Sequence, residues 1–330
     1  MNRTADTENL AGLVQIALGT AVPVTGIQRL RGGSKKGVYR VHLGGPPTSV
    51  MVYSWAQEEN FWPRATDAPD PGDPFAAATG LPRLLAATHE LQTAGVRSPR
   101  VLWSDDSHQH YPADVAVIED VPAGSLETLM DTDPARAETV LHDLAASLTR
   151  LHARTTDHYG PLGHLENYGT SCEQMVLQRA RGDLDEGARR DERLRAAHPL
   201  ILQRLHDLHD RVRPRQKYSL IHGELGPDHV LVDTAGQSVL IDIEGLMFFD
   251  IEWEHAFLEL RFHDRYTALA VDALDEDRLR LYRLAMRLSL VTGPLRLLDG
   301  DFPDRTPMQH IAEHNLQMTL ALIKEPMRSP

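Results

Sequence analysis

The chain is short of lysine, cysteine and positive charge, and it has no long hydrophobic run. Its 330 residues carry 34 basic side chains against 47 acidic ones, a formal net charge of −13. A nucleic-acid backbone demands a basic surface, so this balance argues against a general nucleic-acid binder. It favours solubility and is compatible with drawing a cationic small molecule to an acidic cleft. The one cysteine, Cys172, excludes an internal disulfide and a Cys-x-x-Cys zinc motif. No apolar run approaches the roughly 18 residues that span a bilayer. Residues 1–18 are acidic and mixed, without the basic start and apolar block of a signal peptide. A cytoplasmic protein without a membrane partner is expected. Lysine stands only at Lys35, Lys36, Lys217 and Lys324, so any role that needs an ammonium group has few candidates.

What is present is ordinary globular material, enough for two joined lobes. Apolar spacing predicts helices over residues 9–18 and 81–93, the second stopping at Gly95. Short β-prone runs at 26–30, 38–43, 49–55, 100–104 and 115–119 are parted by Gly-rich and Pro-rich turns. Residues 60–79 read as a loop or lid. Past Val121-Pro122 helices take over. Residues 135–152 put Leu141, Leu144, Leu148 and Leu151 on one face; 172–213 read as two charged helices broken near Pro199. Residues 252–262 and 275–291 return to helix, the second ending before Gly293-Pro294, and 325–330 should fray. Brief strands are expected at 218–221, 230–232 and 239–241. Strands first and helices second is an α+β, bilobal plan, with lobes expected at 1–121 and 122–330.

The residues that carry chemistry lie between Lys217 and Leu260. A strand delivers His222-Gly223-Glu224 into a tight Gly226-Pro227 turn; a second strand and a hairpin then lead to Asp242. Rigid strand ends that leave side chains exposed are where catalytic groups tend to sit. Glu224, His229 and Asp242 should therefore converge, with Glu244 beside them.

This run resembles the catalytic and metal-binding segments of the aminoglycoside phosphotransferases and related small-molecule kinases, whose fold is protein-kinase-like. Their pattern is His-Gly-Asp, an Asn five residues later, then a strand and Ile-Asp. Here Glu224 stands for the Asp, His229 for the Asn, and Asp242 at the Ile-Asp aspartate. Asp250 matches a further acidic position, and Glu254 one where the family often has Asp. Arg31 through Arg40, with Gly32, Gly33, Ser34, Lys35 and Lys36, looks like the glycine-containing nucleotide loop. The strand and hinge at 115–122, with Glu119 and Val121, resemble the part that receives adenine. The resemblance covers roughly residues 20–320. It implies an N-terminal nucleotide-binding lobe and a helical catalytic and acceptor-binding lobe. The implied reaction is ATP-dependent (or GTP-dependent) O-phosphorylation of a small molecule, such as an aminoglycoside or basic peptide antibiotic. Glu224 would orient the acceptor hydroxyl, and Asp242 with His229 would hold Mg2+. Imidazole is a poor ligand for Mg2+ and suits softer metals, so His229 would either bind the ion weakly or donate to a phosphate or to Glu224.

One family part is missing. The third strand, residues 49–55, has no lysine to pair the nucleotide phosphates and a helix glutamate, and the following helix offers only Glu90 as an acid. Lys35 or Lys36, from the neighbouring glycine loop, is expected to supply that charge, as in a group of protein kinases named for lacking the usual lysine. Alternation along a strand lets only one of the two face the phosphates, and Lys36 is favoured. Asp250, Glu252, Glu254 and Glu259 offer an acidic lining for a cationic acceptor. Two rival readings remain: a nucleotide-binding pseudokinase that senses or scaffolds, and a metal hydrolase built on His222, Glu224, His229 and Asp242.

Overall fold

The computed structural model describes residues 7–19, 22–31, 33–62, 74–75, 79–163 and 170–324. The expected loop at 60–79, the frayed end at 325–330 and Gly32 lie wholly or mainly outside these residues. In chain order the elements are α1 (Thr7–Leu18), β1 (Val24–Arg29), β2 (Gly37–Leu43), β3 (Ser49–Ser54), α2 (Leu81–Ala94), β4 (Val101–Asp105) and β5 (Val115–Glu119). There follow α3 (Leu126–Thr132), α4 (Pro134–His152), β6 (Thr155–Thr156), β7 (Gly160–Pro161), α5 (Cys172–Arg190), α6 (Glu192–His209) and β8 (Tyr218–Ile221). The remainder is β9 (Val230–Val232), β10 (Ser238–Leu240), β11 (Met247–Phe249), α7 (Ile251–Phe262), α8 (Glu276–Asp299) and α9 (Arg305–Leu322). No described helix is long and apolar enough to cross a membrane.

The chain packs as two compact units. The first takes Met1–Trp62, Ala77–Leu151 and Gly226–Leu246; the second takes Pro63–Ala76, His152–Leu225 and Met247–Pro330.

In the first unit an antiparallel sheet runs in the order β1-β2-β3-β5-β4. Along β2 every second residue, Tyr39, Val41 and Leu43, turns inward with period two. The central strands β3 and β5 are apolar on both faces and buried on both. Leu10, Leu13 and Val14 of α1 close the core over Val41, Val50, Val52, Val115 and Val117. Gly95 ends α2 in the left-handed conformation (φ 67°), as a helix stop should. The small β9–β10 hairpin belongs to this unit. Asp143 of α4 accepts from the Ser238 N–H (2.8 Å) and hydroxyl (2.6 Å), and the Arg97 carbonyl accepts from the Leu240 N–H (2.9 Å).

In the second unit the sheet β6-β8-β11-β7 accompanies α5 to α9. Two expectations fail here. The helix break is not at Pro199: α5 ends at Arg190, and the Asp191 carboxylate caps α6 by accepting from the N–H groups of Arg193 (2.8 Å) and Leu194 (3.4 Å). Pro199 lies inside α6, because burial of Leu194, Ile201, Leu205 and Leu208 outweighs one lost backbone hydrogen bond. Likewise α8 runs through Gly293-Pro294 to Asp299, packed on α5, α7 and α9. Helices α3 and α9 had not been expected at all. Ser125 starts α3 as its cap.

Candidate active site

Within the first unit the hairpin makes neighbours of His229 and Asp242. The Asp233 carboxylate shapes its turn, accepting from the N–H groups of Ala235 and Gln237 at 2.9 Å. Pairing then extends past the strands, since the Ile241 N–H donates to the His229 carbonyl (3.0 Å). Asp242 follows in the left-handed region (φ 57°, ψ 43°), unusual for a non-glycine and a mark of a constrained site. Its Oδ2 stands 3.9 Å from His229 Nε2. Its side chain remains 47% exposed.

Lys36, the lysine favoured to stand in for the absent third-strand one, is found at this aspartate. Lys36, immediately before β2, donates to Asp242 Oδ1 (3.0 Å) and to Glu244 Oε1. Its Nζ also lies 4.7 Å from the centre of the Tyr53 ring on β3. Burial alone would drive the proton off Lys36, but the carboxylates of Glu244 and Asp242 outweigh it and hold the ammonium charged well above the ordinary lysine range. Lys35 faces elsewhere, its Nζ 5.7 Å from the Trp62 ring. The carboxylates that meet Lys36 thus come from the turn after β10, against which α2 packs, rather than from Glu90 on α2 itself. Glu244 was expected among the convergent acids, but nothing in its local sequence signals that it partners this lysine.

Around Lys36 the glycine loop is closely fitted. A Cβ on Gly33 would come within 2.6 Å of the Lys36 carbonyl, and one on Gly37 within 2.6 Å of the Glu59 carboxyl. Glu59 is itself buried, accepting from Tyr39 and from Arg29 (2.6 Å). The Ser34 carbonyl accepts from the Phe61 N–H (2.9 Å), and its hydroxyl from the Trp62 indole (3.0 Å). At the hinge the Glu119 carboxylate is taken by Arg97 (2.8 and 3.1 Å) and Arg100 (3.2 Å), while Val121 is buried. The Glu119 side chain is therefore committed to these two arginines.

The donors fit a divalent cation carried in by phosphates. One lysine faces two carboxylates, so the cluster is net negative, and the buried Oε2 of Glu244 has no partner among the described residues. The protein would contribute Asp242 and His229 only; Mg2+ ordinarily keeps waters and substrate phosphates as its other ligands. No group of three or more His, Cys, Asp or Glu among the described residues is arranged to hold a metal ion by itself.

Glu224 belongs to the second unit. There β8 ends at Ile221, and Gly223 turns with φ 88°, so that His222, Gly223 and Leu225 are buried while Glu224 is exposed. The loop is anchored by Glu254 of α7, whose carboxyl accepts the Gly223 N–H at 2.7 Å and is further bonded by the His222 backbone. Full burial pushes Glu254 up to about 7 against those hydrogen bonds. The expected acidic lining is not available to a ligand. Asp250 is buried with Arg278 and Tyr282, and Glu252 accepts from Arg215 (2.6 and 2.7 Å). Glu254 holds the loop, and Glu259 accepts from Arg283 (2.6 and 2.7 Å). Nearness in sequence said nothing of which distant arginines would claim these acids.

The Glu254 environment has a sign that can be measured. The folded chain keeps this proton to about pH 7, whereas the unfolded chain releases it near 4.5. The stability it contributes is complete at acid pH and is lost as pH rises between those values, by about 3 kcal/mol in total. Glu254→Gln keeps the acceptor and removes the titration. Its unfolding free energy relative to wild type, from urea melts, should rise steadily between pH 5 and pH 8; a constant difference would refute the assignment.

Comparison with known proteins agrees with the fold. The model of the phosphotransferase enzyme family matches residues 26–289. A thermostable mutant of aminoglycoside phosphotransferase APH(4)-Ia in its apo form is 18% identical, with 93% of this chain and 98% of that chain covered and a TM-score of 0.62. A ternary complex of that enzyme with ADP and hygromycin B is 19% identical over 94% and 98%, with a TM-score of 0.60. Spectinomycin phosphotransferase APH(9)-Ia, in complex with ADP and spectinomycin, is 13% identical over 96% and 98%, with a TM-score of 0.61. At these identities the likeness is one of fold, a protein-kinase-like α+β architecture. Among curated proteins, a nucleotide-binding protein of Acidothermus cellulolyticus is 36% identical over 85 residues, a stretch that is 26% of this chain and 26% of that relative. The chain therefore matches only about a quarter of that relative's length. None of these findings supports the pseudokinase alternative. The chain belongs to the phosphotransferase enzyme family.

Proposed function

We propose that the protein transfers the γ-phosphoryl group of ATP or GTP to a hydroxyl of a small molecule. The observation that carries this reading is the buried Lys36 ammonium held against Asp242 and Glu244, with His229 alongside. Little covalent chemistry falls to the protein in phosphoryl transfer; it aligns the acceptor and neutralises charge on the triphosphate. Lys36 pairs the α- and β-phosphates. The glycine loop (Gly32, Gly33, Ser34, Lys35) borders them, and the hinge backbone at Glu119 and Val121 receives the base. Asp242 and His229 would hold a divalent cation, which when bound would neutralise charge on the phosphate oxygens. Glu224 orients the acceptor O–H and takes its proton late, as the acceptor oxygen bonds to phosphorus and the bond to the nucleoside diphosphate oxygen breaks. On this reading residues 1–121 form the nucleotide lobe, and 122–330 the catalytic and acceptor lobe, of a cytoplasmic kinase. Hydroxyl-bearing cationic antibiotics are the first acceptors to test, on the strength of the neighbours that bind hygromycin B and spectinomycin and of the net charge of −13. Inactivation of such a drug would confer resistance.

The test is a thermal-shift series with ATP and GTP, each with Mg2+ or Mn2+, followed by mass-spectrometric product detection across aminoglycosides and basic peptide antibiotics. Binding raises the melting point by mass action. Glu224→Gln should retain nucleotide affinity and lose turnover by about 10²-fold or more. Absence of a shift with either nucleotide would defeat the proposal.

A further inference from the structure

Lys36 has two carboxylate partners of opposite character. Glu244 is buried, its side chain 3% exposed, in the short helical turn Ile243–Gly245 that packs under α2. Asp242 is 47% exposed and set in the left-handed region. A buried ammonium needs a permanent counter-charge, and a long flexible side chain needs a second fixed point to be aimed. The backbone on either side of Lys36 is closely fitted, Gly33 lying against the Lys36 carbonyl and Gly37 against the Glu59 carboxyl. The side chain's direction is set by its carboxylates.

We propose that Glu244 is the positioning residue of this site: it is the fixed partner of Lys36, and Asp242 is the exchangeable one. Glu244 then takes the part that a helix glutamate plays where the lysine stands on the third strand. Asp242 Oδ1 holds the place on Lys36 that this proposal assigns to a phosphate oxygen, and Glu244 keeps the ammonium aimed while the two exchange. This rests on the reading of Lys36 as the phosphate lysine.

Isothermal titration with ADP separates the two. With Mg2+ present, Lys36→Met and Glu244→Gln should each weaken ADP binding by about tenfold or more, and the double variant should bind no more weakly than Lys36→Met alone. Glu244→Asp, which keeps the charge but shortens the reach, should bind several-fold more weakly than wild type. With metal omitted, Asp242→Asn should bind ADP more tightly than wild type, because the competing carboxylate is gone, while Glu244→Gln still binds less tightly. Losses that multiply in the double variant, or wild-type affinity in both Glu244 variants, overturn the positioning role while leaving the proposed function standing. Unchanged affinity in Lys36→Met overturns both. Should Glu244→Gln melt below the assay temperature, the double variant removes both buried charges together and Glu244→Asp retains them, so the comparison survives.

Discussion

Lys36→Met is expected to damage the protein twice, in nucleotide binding and in stability. Met matches the lysine stem in length, so packing against Tyr53 is largely kept and the charge is what disappears. The phosphates lose their one ammonium partner in this site, a charge-assisted contact in a water-poor setting, so affinity for ADP or ATP should fall by about 10- to 100-fold. At the same time Glu244 is left buried and unpaired, its Oε2 already without a partner among the described residues. Breaking a buried pair in this way costs about 3–5 kcal/mol. Glu244→Gln added to Lys36→Met should recover most of the stability and none of the affinity. Urea melts and ADP titrations on the same samples read the two effects apart. A Lys36→Met protein as stable as wild type would mean that water reaches Glu244 in solution.

Arg278→Met is expected to be the most destabilising single change in the second unit. Arg278 of α8 is 1% exposed. Its Nη1 donates to Asp250, to Glu173 (3.1 Å) and to the Tyr282 hydroxyl (3.3 Å), and its Nη2 to the Arg213 carbonyl. One guanidinium thus joins the starts of α5 and α7, the body of α8 and the segment that leads into β8 and the Glu224 loop. Its removal strands two buried carboxylates, with Arg215, 3.6 Å from Asp250, the cation that stays nearby among the described residues. A loss of about 3–5 kcal/mol follows, which at roughly 2–4 °C per kcal/mol lowers the melting point by about 6–20 °C. Arg278→Lys should not rescue it, since a point ammonium cannot reproduce a planar fork that serves four acceptors. A fall of less than about 1 kcal/mol in Arg278→Met would show that the network is not what holds these helices.

Much of the fold was legible because it is written locally. Period-two burial along β2, the Gly95 stop, the leucine face of α4 and the Asp233 turn each follow from neighbours in sequence, and each places a strand or helix end within a residue or two. The order of the candidate site was legible for the same reason: the hairpin register alone sets His229 opposite Ile241 and so beside Asp242. The prolines of α6 and α8 misled because their local cost is overcome by packing against helices remote in sequence.

The sequence by itself determined which chemistry-bearing residues there are, their spacing, and that the lysine of this site had to come from outside the third strand. Only the tertiary structure decided which acids stay available. It joined Lys36 to Glu244 across 208 positions, and it spent Asp250, Glu252 and Glu259 on arginines and Glu254 on a backbone amide. Hydrogen-bond and ion-pair partners of buried charges are chosen by whichever surfaces packing brings together, and no local period or propensity encodes that choice.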